Sequence, residues 1–349
     1  MKIKVYYKKQ QHLSRLITGF HLLSINNENI SVEFIENCGI YETPHNQVVV
    51  IEVDNKIIAF DMCDAFSLNP ENSGRFMDIV DAYFKRSYNP SMDTALSAQQ
   101  QKKIFPFGFD YFVTYSGNPI NGQAARGFSA GVKNTIKAIT GYNKASYIDY
   151  FERKADYKEK DFKIIFMTRL WDPDEIKINP ECKDYSLYMI AERYKINRDR
   201  IEIIRQLQKI YGKNFIGGIQ QSPFALHECP DLIIPKYLTA RKNYLDKMKS
   251  SDICIGSMGL LRSTGWKTGE YIAASRAIVA ETLRYSVPGN FENGRNYLAF
   301  DSVSECLSNV EELMKSPERI YSMKKANEEY YSEYLRPEKQ IMNALKQIL

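Results

Sequence analysis

The spacing of apolar and polar positions changes several times along this chain, and each change marks an expected element. Lys2–Tyr7 alternates as a half-buried strand does, and residues 14–25 carry apolar side chains at helical spacing. Residues 30–35, 47–53 and 56–61 read as strands. The last two flank Asp54-Asn55, a pair that tolerates the left-handed backbone of a tight hairpin. Residues 73–85 place Phe76, Ile79, Val80, Tyr83 and Phe84 at helical spacing and read as one helix. Residues 109–115 form an apolar run that ends in the Ser-Gly-Asn-Pro turn 116–119, and residues 132–140 read as a helix stopped by Gly141.

A densely charged stretch, 152–161, then separates the halves, and it fits either a linker or a solvated helix face. The near-continuous apolar run Phe-Lys-Ile-Ile-Phe-Met at 162–167 favours the linker, because strands buried on both faces have this pattern. From there strands and helices alternate. Strands are expected at 214–219, 231–234, 252–256, 277–280 and 297–300. Helices are expected at 185–194, 198–211, 245–250, 266–274, 302–314, 318–331 and 337–349. Such alternation predicts βαβ units and a parallel sheet, whose ligands sit beyond the carboxyl ends of the strands. The fold class is therefore α/β, with domains at 1–158 and 159–335 and a terminal helix at 336–349.

Composition narrows the chemistry by exclusion. Apolar residues at 44% and charged residues at 26% are those of an ordinary globular chain. The net charge of +5 is spread without a block of like charges, so no nucleic-acid partner is expected; an anionic small molecule or an acidic membrane surface fits it. The six cysteines form no Cys-x-x-Cys pair, and His227-Glu228-Cys229 lacks partners at ligand spacing, so no metal site is expected. The start Met-Lys-Ile-Lys-Val-Tyr-Tyr lacks the apolar stretch of a secretory signal, and no run of 18 apolar residues occurs. A cytoplasmic location is the expectation. The 24 tyrosines suit stacking on sugars or bases, or reflect a biased composition.

The segment 251–281 concentrates the candidate chemistry. A strand ends at Gly256, a loop carries Arg262, Ser263, Thr264 and Gly265, and a helix begins near Trp266. A helix start offers backbone N–H groups and a partial positive charge. Gly265 lets a phosphate approach closely, Ser263, Thr264 and Lys267 add donors, and Glu270 one turn on is spaced to accept two vicinal hydroxyls.

This run resembles the nucleotide-binding region of GT-B-fold glycosyltransferases of the family 1 and family 4 types. Gly265, Glu270, Ala273 and the strand at 277–280 match the pattern of a loop glycine, a glutamate five residues later, small residues and a strand. The resemblance extends to Phe166-Met167-Thr168-Arg169-Leu170 and to 293–298. It implies two Rossmann-like domains facing a cleft, with the terminal helix returning to the first domain. It also implies a UDP- or GDP-linked sugar donor as substrate, no separate cofactor and no metal. Glu270 would hold the ribose; the 263–267 amides, Arg169 and either Lys177 or Lys267 would hold the diphosphate. Arg262 stands where many retaining members carry a first glutamate, and faces either an acidic donor group, a phosphate or solvent.

An acceptor hydroxyl needs a base, and Asp61, Asp64 and His45 are the first candidates, with His21 and Asp110 behind them. The implied activity is transfer of a sugar to a glycan or lipid-linked saccharide in surface polysaccharide synthesis. A lipid-linked acceptor would bring peripheral contact with the inner face of a membrane. The alternative is a non-catalytic nucleotide- or glycan-binding module on the same fold. A dinucleotide oxidoreductase is disfavoured, since no Gly-x-Gly-x-x-Gly follows a strand.

Overall fold

The computed structural model describes residues 1–64, 70–91, 96–120 and 142–349. The expected helix at 132–140, with its stop at Gly141, lies outside them. The chain divides into two compact units. The first comprises Met1–Tyr150, Arg284–Asn290 and Tyr330–Leu349; the second comprises Phe151–Leu283 and Phe291–Glu329.

In the first unit, β1 (Lys2–Tyr7), β2 (Ser31–Glu36), β3 (Val48–Val53), β4 (Lys56–Asp61), β5 (Ala82–Lys85) and β6 (Ile104–Pro106) form one sheet in the order β2-β1-β3-β4-β5-β6. Only β3 runs antiparallel to its neighbours. The reason is local: Asp54 and Asn55 both adopt positive φ, so β3 and β4 form a tight hairpin instead of a crossover. Helix α1 (Ser14–Asn26) covers one face, burying Leu16, Ile17, Phe20 and Leu23. Phe76 and Met77 of α2 (Pro70–Ile79) help cover the other. Burial on both faces explains why β3 reads Val-Val-Val-Ile-Glu-Val instead of alternating.

Two expectations fail in this unit. The helix expected at 73–85 ends at Ile79, and Ala82–Lys85 is instead a strand, buried at all four positions between β4 and β6. A four-residue apolar run fits both periods, and only pairing decides it. Residues 109–115 form no named strand. Thr114 makes one bridge to Tyr147, while Phe109, Tyr111 and Val113 are buried as core.

The second unit holds β7 (Ile164–Thr168), β8 (Phe215–Ile219), β9 (Ile253–Gly256), β10 (Ala277–Glu281) and β11 (Leu298–Phe300), all parallel, in the order β11-β10-β9-β7-β8. Counted within the unit this is 2-1-3-4-5, a doubly wound sheet whose order reverses between its first and third strands. Its helices of eight residues or more are α3 (Lys183–Tyr211), α4 (Arg241–Ser250), α5 (Trp266–Ala273), α6 (Val303–Met314) and α7 (Pro317–Tyr330). The two helices expected at 185–194 and 198–211 are one, 29 residues long. The polar stretch between them holds no Pro or Gly. Its Asn197 turns inward, accepting the Trp171 N–H at 2.9 Å and donating to the Trp171 carbonyl at 2.6 Å. Residues 231–234 make a single bridge, Ile233 to Ile219, and no strand.

The charged stretch 152–161 packs within the second unit. Asp156 meets Arg276 at 2.8 Å and Lys324 at 3.2 Å, and Ser275 donates to the Arg153 carbonyl at 2.6 Å. The terminal helix α8 (Pro337–Lys346) belongs to the first unit, packing Ile341, Ala344 and Leu345 with α1. Gly19 permits this approach, since a Cβ there would lie 2.6 Å from Ile341 Cδ1 and from the Pro337 carbonyl. Among the described residues no helix is long and apolar enough to cross a membrane.

Candidate functional site

The order reversal in the second sheet leaves a crevice at the carboxyl ends of β7 and β9, where two adjacent strands send their connections to opposite faces. Three elements bring cations to it. Arg169 leaves the end of β7 exposed, its guanidinium stacked 3.8 Å from the Trp171 ring centre. Arg200 comes from the middle of α3 and is 5% exposed. It donates to the Arg169 carbonyl at 2.6 Å, to Ser257 Oγ at 3.0 Å and to the Met258 carbonyl at 2.9 Å, so one guanidinium ties together the loops after β7 and β9. Burial lowers its pKa to about 10, with Glu281 opposing and Arg169 adding to the shift.

Lys267 lies in the first turn of α5, half-buried, with its amine 5.2 Å from the Tyr244 ring centre. Burial together with Arg200, Arg169 and Arg241 lowers its pKa to about 8, while Glu270 opposes the shift. Helix α5 starts at Gly265 with no side-chain cap and no acidic residue in its first turn, so its positive end is not neutralised locally. The result is a small open pocket lined by Ser257, Met258, Thr264, Gly265, Thr268 and Glu281 among others, with cations around it. This arrangement suits a polyanion.

The remaining expected residues are placed as follows. Ser263 and Thr264 are buried, at 4% and 3% exposure, in the loop that closes when the Gly259 N–H reaches the Ser263 carbonyl at 2.9 Å. Leu261 and Arg262 both have left-handed backbone, φ +57° and +53°, and the Leu261 N–H donates to Glu192 at 2.9 Å. Arg262 is exposed and sits beside Tyr188. Lys177 is exposed between two short turns, at 173–175 and 180–182. Glu270 is 2% exposed, and both its oxygens already hold protein donors: Arg241 Nη1 at 2.5 Å and the Tyr244 hydroxyl at 3.0 Å. A carboxylate oxygen accepts more than one donor, so this pairing orients Glu270 without exhausting it.

The base candidates of the first unit fare differently. Asp61 is completely buried at the end of β4. It accepts from Tyr83 at 2.7 Å and the Cys63 N–H at 2.8 Å, and pairs with Lys85 at 3.1 Å and His45 at 3.2 Å. Burial raises its carboxyl, but Lys85, His45 and Tyr83 outweigh it and hold the pKa at about 2. Held this way, Asp61 ties the end of β4 to β5 and to the loop before β3. His45 accepts the Gln47 N–H on Nδ1 at 3.2 Å, and its Nε2 lies 3.2 Å from Asp61. Asp64 is half-exposed and paired with Arg86. Asp110 is buried between Arg15 at 2.8 Å and Arg86 at 3.8 Å. His21 packs beside Tyr115.

Sequence reading missed Arg200, Arg241, Tyr244 and Glu281. A signal existed for the first: Asn197, Arg200, Ile203, Ile204 and Leu207 form the buried stripe of α3. A polar residue within an apolar helical stripe has to find buried partners.

No family profile matches this chain, and no curated protein matches it. Solved structures similar to it include the C-terminal domain of a glycosyl transferase group 1 family protein, LpcC, from Francisella tularensis. The identity is 11%, over 54% of this chain and 97% of that one, with a TM-score of 0.36. A structure of accessory secretory protein 1, 2 and 3 from Streptococcus pneumoniae matches at 10% identity over 80% of this chain and 46% of that one, with a TM-score of 0.38. HepE from Anabaena, solved in complex with UDP, matches at 9% identity over 79% of this chain and 66% of that one, with a TM-score of 0.36.

Proposed function

We propose that this chain is a GT-B-type glycosyltransferase. It moves a sugar from a UDP- or GDP-linked donor to a hydroxyl of a glycan or lipid-linked saccharide in bacterial surface polysaccharide synthesis at the cytoplasmic face of the membrane. The observation that carries the reading is the convergence of Arg169, Arg200 and Lys267 on the order reversal of the second sheet, beside the uncapped start of α5. In the reaction the acceptor oxygen bonds to the anomeric carbon while the bond from that carbon to the diphosphate oxygen breaks. The hydroxyl proton leaves to a base, and the diphosphate departs with the bonding pair. Cations and helix amides stabilise that developing charge, so no metal is required of the site. Glu270, held by Arg241 and Tyr244, faces the ribose hydroxyls.

Calorimetry with UDP and GDP tests the site. Arg169→Ala and Glu270→Ala should both weaken binding, and unchanged affinity in both variants removes the assignment. A second reading, a nucleotide- or glycan-binding module without turnover, is favoured by the engaged state of Asp61 and His45. Hydrolysis of any member of a nucleotide-sugar panel above background excludes it.

A further inference from the structure

Glu281 closes β10 on the wall of the same pocket and has no place in the reading above. Its carboxylate accepts the Met258 N–H, in the loop whose Ser257 hydroxyl and Met258 carbonyl are held by Arg200. A carboxylate among cations, taking a backbone N–H, does there what a phosphate oxygen would do.

We propose that Glu281 is a built-in competitor of the incoming diphosphate. Without ligand its carboxylate holds the Met258 N–H; on binding, a diphosphate oxygen takes that N–H, and Glu281 accepts a proton from solvent as the second anion arrives. The proposal rests on the reading that this pocket takes a nucleoside diphosphate. Two anions sharing one pocket repel strongly unless one is neutralised. Burial already raises the Glu281 carboxyl, against the Met258 amide, Arg200 and Lys195, with Asp199 adding to the rise; Cys306 of α6 also faces it. Neutralising it is therefore a short step.

Calorimetry with UDP, GDP and inorganic pyrophosphate on the full chain tests this, in buffers of different ionisation enthalpy and from about pH 5.5 to 8, spanning carboxyl and phosphate titration. Glu281→Gln keeps an oxygen for the Met258 N–H and removes the charge. Wild type should take up about one proton more than the variant on binding. The variant should bind about a hundredfold more tightly at the alkaline end and equally at the acid end, the difference that uptake of nearly one proton demands and that one nearby like charge can supply. Equal proton uptake with parallel pH slopes overturns the competitor and leaves nucleotide binding standing. If wild type binds none of the three probes, the donor site falls and the competitor with it. Should the variant fail to fold, wild type alone decides. Below about pH 6.5 Lys267 is charged with or without ligand, and a phosphate entering a cationic pocket releases protons, so net uptake there supports the proposal and net release overturns it.

Discussion

The carboxyl ends of the two sheets are both dense with charge, yet they are balanced differently. In the first unit every buried cation named here has a carboxylate: Lys85 has Asp61, Arg86 has Asp64 and Asp110, and Arg15 has Asp110. In the second, Arg169, Arg200 and Lys267 gather at the sheet's order reversal, and the carboxylates nearby are engaged elsewhere, Glu270 with Arg241 and Glu281 with the Met258 amide. Closed pairs maintain a strand-end geometry. An excess of one sign leaves field for a ligand of the other. Burial is the main cause of the depressed Lys267 pKa; Glu270 opposes it, and Arg200, Arg169 and Arg241 add to it.

The largest expected effect breaks the closed end. Lys85→Ala leaves Asp61 charged and buried without its amine, and should cost about 3–5 kcal/mol in denaturant unfolding. It should leave UDP affinity unchanged; a loss of affinity without a loss of stability would erase the distinction between the two ends. Next, Arg200→Ala removes a charge and strands three acceptors around the open end. Binding of UDP or GDP should weaken by roughly 10- to 100-fold, as for a charge-assisted hydrogen-bonding group.

Acid titration separates the ends by sign. The folded Asp61 pKa of about 2 lies below the unfolded value near 4, so its stabilisation is complete above about pH 4 and disappears as pH falls toward 2. It is worth about 2–3 kcal/mol. Melting curves of Asp61→Asn should show a correspondingly smaller acid loss than wild type. Lys267 has the opposite sense: its folded pKa of about 8 lies below the unfolded value, so the folded state binds fewer protons between the two. Stability should rise with pH across that interval while affinity for diphosphate falls. Lys267→Met should abolish both trends. The smallest effect is that of Arg169→Ala: an exposed guanidinium should change UDP affinity by only about threefold to tenfold, more at low salt than at high.

Legibility from sequence followed the range of the interactions. The hairpin at Asp54-Asn55 was readable because its backbone demand is met by two adjacent residues. The strand–loop–helix–strand of 251–281 was readable because each apolar run is long enough to show its period. The segment 73–85 was misread because Ala82–Lys85 is too short to show one, and its neighbours β4 and β6 decide it. Residue type makes Asp61 and His45 candidate bases, and for Asp61 its place after a strand adds to this. Their partners Lys85 and Tyr83 come from the next strand, and no local pattern announces that pairing.

By itself the sequence determined the α/β alternation, the placement of its loops and the anion-ready start of α5, because hydrophobic period, turn residues and helix ends are local properties. Tertiary structure decided the antiparallel insertion of β3 and the 2-1-3-4-5 strand order of the second sheet. It also brought Arg200 to the pocket from a helix far from 251–281 in the chain, and turned the Glu281 carboxylate onto the Met258 amide. Those outcomes depend on which faces are buried together and on where buried charges find partners, and neither is written in any single window of residues.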